Sequence, residues 1–150
     1  MLNSLFQFSA LNQNGQPIHA EHYRGQYVLL YFYPKDNTPT CSQQAIDFRD
    51  NYPHFTALNT VIIGVSRDSA KTHINFKNKY ALPFDLISDN QGLLCEQFNV
   101  IVEKKLYGKR VLGIERSSFL INPQGILIQE WRKVKAKTHC GELLNFLKQL

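Results

Sequence analysis

Chemistry in this chain starts from Cys41, within the stretch Tyr31 to Asp50, YFYPKDNTPTCSQQAIDFRD. An apolar run (Val28 to Tyr33) leads into Pro34, a polar turn, and then the cysteine. Cys41, Ala45, Phe48, Tyr52 and Phe55 recur at spacings of four and three, so they fall on one face of a helix. Thr38 reads as the cap of that helix and Pro39 as a first-turn residue, where its missing N–H costs nothing. Cys41 then lies in the first turn, beside unpaired backbone N–H groups and the positive end of the helix dipole. A thiol there ionises more readily than a free one, and a thiolate is both a nucleophile and an oxidisable centre. The same placement also suits a cysteine that is only a small buried hydrophobe, and spacing alone does not separate the two.

The order P-x-x-x-T-x-x-C directly after a Tyr-Phe-Tyr strand goes further. Pro34, Thr38 and Cys41 match the active-site motif of the peroxiredoxins, and YFYPKDNTP resembles the bacterioferritin-comigratory (peroxiredoxin Q) branch. The resemblance implies a thiol-dependent peroxidase whose Cys41 thiolate attacks hydrogen peroxide or an alkyl hydroperoxide and becomes a sulfenic acid. It also implies that Thr38 directs its hydroxyl at the peroxide, helped by backbone N–H groups near Thr40 and Cys41. Pro34 would shield the sulfur from water. Arg116, in Glu115-Arg-Ser-Ser-Phe-Leu-Ile121, matches the arginine that the family brings beside the sulfur from a distant strand. Read without the resemblance, Arg116 is a strand-end arginine paired with Glu115 or Asp89, and Pro34 a strand terminator.

The chain departs from the branch in several places. Thr40 stands where glycine is usual, the N-terminal A-P-x-F is absent, and Gln44 replaces a glutamate that helps position the arginine. The position five after Cys41, where many members carry a resolving cysteine, is Ile46, and Ile74 to Tyr80 has no cysteine either. Cys95 sits in an apolar helical context and reads as core. Cys140 reads as a first-turn residue of a last helix capped by Thr138, with a lowered pKa, able to resolve Cys41 only if the chain moves or a second copy supplies it. The resulting expectation is a one-cysteine enzyme recycled by thioredoxin, glutaredoxin or glutathione. Ile46, Thr40 and Gln44 keep open a thioredoxin-fold redox sensor or partner-binding protein without turnover. A cysteine acyl-transfer hydrolase would need His54 or His73 as a base. His19 and His22, and the adjacent His139-Cys140, are weak metal patterns, so no metal or cofactor is expected.

These residues need elements to hold them. Phe6 to Ala10, the turn Asn12-Gln-Asn-Gly15 and the residues after it suggest an N-terminal hairpin. Val28 to Tyr33 and Val61 to Val65 are continuous apolar runs, as expected of strands buried on both faces. Pro53 is expected to kink or end the Cys41 helix. Ser69 is a fair cap for a helix over Ala70 to Tyr80. A strand over Phe84 to Ile87 and a short helix over Asn90 to Phe98 follow. Glu103 to Gly113, charged and holding two glycines, reads as an exposed loop. Ser117 to Ile121 and Ile126 to Trp131 read as a hairpin around Asn122-Pro-Gln-Gly125. Leu143, Leu144, Phe146, Leu147 and Leu150 form the stripe of a last helix. Strands alternating with helices give an α/β fold, and the resemblance makes it thioredoxin-like: a central mixed β-sheet with helices on both faces and an N-terminal β-hairpin.

Composition agrees with one domain over residues 1–150. The chain has 150 residues, 43% hydrophobic and 19% charged, enough to bury a core. No apolar run approaches a membrane span, and the first ten residues do not read as a signal peptide. The net charge of +5 comes from scattered basic residues without a nucleic-acid motif, so neither nucleic acid nor membrane is an expected partner. Three cysteines at long spacings suit a reducing, cytoplasmic setting rather than a disulfide scaffold. A monomer or weak homodimer is expected.

Overall fold

The computed structural model describes residues Met1–Leu150. Strands β1 (Ser9–Leu11) and β2 (Pro17–His19) form the N-terminal hairpin, followed by a 3₁₀ turn at Ala20–Tyr23. Then come β3 (Tyr27–Phe32), α1 (Pro39–Ala57), β4 (Thr60–Ser66), α2 (Ala70–Tyr80), β5 (Asp85–Ser88) and α3 (Leu93–Gln97). The chain continues through β6 (Ile101–Leu106), β7 (Lys109–Ile114), β8 (Ser117–Ile121), β9 (Leu127–Trp131) and α4 (Ala136–Lys148). Five strands form the central sheet in the order β5-β4-β3-β8-β9. β3 is parallel to β4 and antiparallel to β8, so the sheet is mixed. No helix is long and apolar enough to cross a membrane.

β3 is central, and alternate residues feed two separate cores. Val28, Leu30 and Phe32 face a cluster with Phe6, Phe8, Leu94, Cys95 and Phe98. Leu29 and Tyr31 face the opposite cluster, with Cys41, Phe48 and Phe55 of α1, Phe76 of α2, and Leu143 and Leu147 of α4. Helices α1, α2 and α4 therefore cover one face and the short α3 the other. Gly64 of β4 leaves room for the Tyr31 ring: a Cβ there would lie 3.0 Å from Tyr31 Cζ and 2.8 Å from Leu86 Cδ2.

Four expectations change. Glu103 to Gly113 is no loop but most of the β6–β7 hairpin, with Tyr107 and Gly108 at its turn, both at positive φ. Its strands stand apart from the main sheet, so neither alternates cleanly between buried and exposed residues, and the charges concealed the strand period. Pro53 does not end α1. It is exposed within a helix that continues to Ala57, held by burial of Phe48 and Phe55 on either side. Thr138 does not cap α4. The helix starts at Ala136 with Lys135 before it, so Cys140 is a turn further in than expected. Leu150, assigned to the apolar stripe, lies beyond the helix and is 57% exposed.

Candidate active site

The site forms where the C-terminal end of β3 meets the N-terminus of α1 and the start of β8. In the antiparallel register Phe32 faces Ser117, which carries Arg116 to the exit of β3 although it is 75 residues from Cys41. One arm of the guanidinium, Nη2, lies 3.3 Å from Cys41 Sγ, and the other, Nη1, donates to Gln44 Oε1 at 2.6 Å. Gln44 follows Cys41 by three residues and shares its helix face. One planar fork thus spans the sulfur and the amide oxygen. Cys41 is 2% exposed and Gln44 1%.

Thr38 takes the cap position in extended conformation, with Pro39 opening the helix. Its hydroxyl does not cap. It donates instead to Lys35 O at 2.9 Å, which folds the Pro34–Thr38 turn onto itself and leaves the oxygen lone pairs open. Thr40 and Cys41 follow in the first turn, where helix geometry provides no backbone acceptor for their N–H groups. Pro34, half-buried, follows the end of β3 at Phe32 by two residues. Asn37 turns the chain at φ 63°, a left-handed conformation that asparagine tolerates better than most residues.

Arg116 pairs with neither Glu115 nor Asp89. The Asp89 carboxylate is occupied at the start of α3, accepting from Leu94 N and Cys95 N at 3.0 and 2.8 Å. Two buried polar atoms near the site have no partner: Tyr31 Oη and Gln44 Nε2. Burial pushes the Tyr31 hydroxyl well above its ordinary pKa, with further upward contributions from Asp36 and Cys41, so it stays neutral. Lys104 of β6 donates to Ile114 O and is close enough to feel both charges of the site. Burial lowers its pKa, Arg116 lowers it further, and Cys41 opposes. Sequence reasoning missed Lys104 because its segment was read as a loop. It also missed that Gln44 keeps the arginine-positioning role, through an amide oxygen in place of a carboxylate.

The other cysteines and histidines are placed differently. Burial pushes the Cys95 thiol far up, with Asp89 adding to it. Cys140, expected to have a lowered pKa, is pushed up to about 11, by burial first and Asp47 second. It contacts the Asp47 carbonyl at 3.7 Å, turned in against α1 and beyond the reach of the first-turn N–H groups. His73 spends its ring nitrogens on Asp36 and Ile87 O, and His54 lies on the exposed side of α1, so neither bonds to Cys41 as a base. His19 and His22 stack edge to face at 5.2 Å between centroids. His139 bonds Ser118 Oγ and Glu142.

The AhpC/TSA family matches residues 3–130. A peroxiredoxin Bcp of Bacillus subtilis is 50% identical over 137 residues, 91% of this chain and 87% of that protein. Its Escherichia coli K12 counterpart is 38% identical, over 95% of this chain and 91% of that protein. Among solved structures, bacterioferritin comigratory protein of Xanthomonas campestris, studied as trapped intermediate and ligand complexes for its alkyl peroxide reduction activity, superposes with a TM-score of 0.89. The two are 43% identical over 95% of this chain and 90% of that one. A mutant PrxQ of Xylella fastidiosa gives a TM-score of 0.91 at 38% identity, covering 99% and 97% of the two chains.

Proposed function

Starting from a chain that belongs to the AhpC/TSA family and is a peroxiredoxin, a thiol-dependent peroxidase, we propose that Cys41 is its peroxidatic thiolate and that Thr38, Arg116 and Pro34 complete the site. The observation that carries this reading is the Arg116 fork 3.3 Å from Cys41 Sγ. The sulfur attacks one peroxide oxygen, the O–O bond breaks, and the second oxygen leaves as hydroxide or alkoxide and takes up a proton. Cys41 is left as a sulfenic acid, oxidised by two electrons.

Magnitudes say what the arginine is for. Lowering a thiol pKa from about 8.5 to about 6 raises the thiolate fraction at neutral pH little more than tenfold, and part is lost again as nucleophilicity falls. Enzymes typically gain ~10⁶-fold or more. Most of the effect must come from donors aimed at the reacting oxygens, and a permanently charged fork suits charge growing on the leaving oxygen. The Thr38 oxygen, its own proton engaged on Lys35 O, is suited to accept from the O–H of the incoming peroxide. Pro34 limits water at the sulfur.

Substrates are hydrogen peroxide and alkyl hydroperoxides. Ile46 leaves no thiol beside Cys41, which supports recycling by an external thiol: thioredoxin, glutaredoxin or glutathione attacks the sulfenic sulfur, water leaves, and a second thiol releases Cys41 from the mixed disulfide. Three free cysteines support a reducing, cytoplasmic setting, with the chain acting as a monomer or weak homodimer. The test is steady-state peroxide consumption with thioredoxin and, separately, with glutathione. Cys41→Ser should abolish it, and Cys95→Ser and Cys140→Ser should each keep most of it. Substantial turnover in Cys41→Ser would falsify the assignment.

A further inference from the structure

We propose that Asp36 and His73 are a positioning pair for peroxide reduction: buried beneath the Pro34–Thr38 turn, they fix where Thr38 stands relative to Cys41. The inference rests on the peroxidase reading above. Both side chains are 0% exposed. Asp36 Oδ1 accepts from Tyr33 Oη at 2.6 Å, and Asp36 Oδ2 lies 2.6 Å from His73 Nδ1. His73 Nε2 lies 2.9 Å from Ile87 O. A carbonyl only accepts, so Nε2 carries a proton, and the short Nδ1–Oδ2 contact holds a second one between the two residues. Tyr33 keeps its own proton, because burial raises its pKa well above the ordinary value, with Tyr31 and Asp36 adding to this.

The backbone of Asp36 is tied down as well. Its N–H donates to Asp68 Oδ2 at 2.9 Å, and Ser66 Oγ donates to the same oxygen at 2.6 Å. The turn is therefore bonded to the end of β4 and, through His73, to α2 and β5. Donor atoms of Asp36, Asp68 and His73 gather within 4.8 Å. With both ring nitrogens engaged, this is a hydrogen-bond network rather than a ligand set.

A buried hydrogen-bonded pair of this kind contributes little to stability compared with an apolar pair of the same size, so stability alone is a weak reason for this one. Its location suggests a different reason. Asp36 lies two residues from Pro34 and two from Thr38, and Asn37 between Asp36 and Thr38 sits at φ 63°. A turn in that region of backbone space keeps its shape only where its surroundings hold it. The Thr38 hydroxyl, bonded within the same turn, has no tie of its own to the sheet or to α2.

The experiment compares two reactions of Cys41 in one variant: single-turnover oxidation by hydrogen peroxide, which needs a positioned substrate, and alkylation by iodoacetamide, which does not. Asp36→Asn should slow oxidation about tenfold or more, as expected when a binding group is misplaced, with alkylation nearly unchanged. In a Thr38→Val background the same substitution should cost little more, because two changes acting through one group are not additive. Equal loss in both reactions, or undiminished loss in the Thr38→Val background, overturns the proposal. If Asp36→Asn does not fold, Tyr33→Phe removes one bond to the carboxylate and should show the same pattern at smaller amplitude; no selective loss there also overturns it. Failure of the peroxidase reading is distinguishable, since the unmodified protein would then not be oxidised at Cys41 at all.

Discussion

A neutral amide oxygen at Gln44 holds one end of the Arg116 fork, which leaves the guanidinium charge to the sulfur at the other end. Arg116 can only donate, so Gln44 must turn its oxygen toward it, and Nε2 is left buried without a partner. Gln44→Glu keeps the acceptor and adds a carboxylate that competes with the thiolate for the same cation. The expected outcome is a pH–rate profile for peroxide reduction displaced to higher pH. The loss at neutral pH should be no more than about tenfold, with recovery at alkaline pH. Stopped-flow oxidation across a pH series checks it; an unchanged profile would mean that the charge at position 44 does not reach the sulfur.

Among the elements, α4 docks on α1 and the sheet through Leu143, Leu147 and a buried histidine. His139, bonded to Ser118 Oγ at 2.8 Å and Glu142 Oε1 at 2.9 Å, titrates below its ordinary value. Burial is the main cause, Arg116 adds to it, and Glu142 opposes. The folded state then binds that proton less readily than the unfolded chain does. Stability from this group is complete above its unfolded pKa of about 6.5 and is lost as pH falls below it toward the lowered folded value. Thermal unfolding should show Tm dropping as pH falls below about 6.5, and His139→Gln should flatten that part of the curve. A decline of equal size in the variant would assign the titration elsewhere.

At the scale of the whole molecule, the sheet separates the thiols. Cys95 belongs to the core on the face away from Cys41, so β3 and its neighbours stand between them. Cys140 shares the Cys41 core but packs against α1 with a raised pKa, a poor attacking thiol. Ile46 offers none. One equivalent of peroxide should therefore give a chain heavier by one oxygen and trappable by a sulfenic-acid reagent, rather than one lighter by two hydrogens. Excess peroxide should carry Cys41 on to the sulfinic state, and a small thiol should divert it to a mixed disulfide. Intact mass and peptide mapping check this. A Cys41–Cys140 disulfide would show instead that α1 and α4 open during recycling and would make Cys140 the resolving thiol.

The sequence by itself determined the parts whose physics is local. The Thr38-Pro39 start of α1, the Ser69 cap, whose Oγ accepts from Thr72 N at 3.2 Å, and the apolar runs of β3 and β4 all follow from neighbours a few residues apart. The first-turn placement of Cys41, with Thr38 before the helix and Pro34 after the apolar run, was legible because the three share one short segment, whereas their roles at a reactive sulfur were implied only by the family resemblance. Arg116 was legible only through a family resemblance, since nothing within ten residues of it points to a sulfur 75 residues away. The tertiary structure alone decided what depends on distant partners. Pro53 stays inside α1 because packed phenylalanines on both sides outweigh one missing N–H. The charged β6–β7 segment pairs with itself, because each strand's bonding partner is the other strand. The pairing of Asp36 with His73 gave no signal, the two being 37 residues apart and joined only when α2 folds back over the turn after β3. Cys140 looked like an activated thiol until packing against Asp47 and α1 reversed its electrostatics. Burial and long-range charge are properties of the assembled sheet, and no window of sequence contains them.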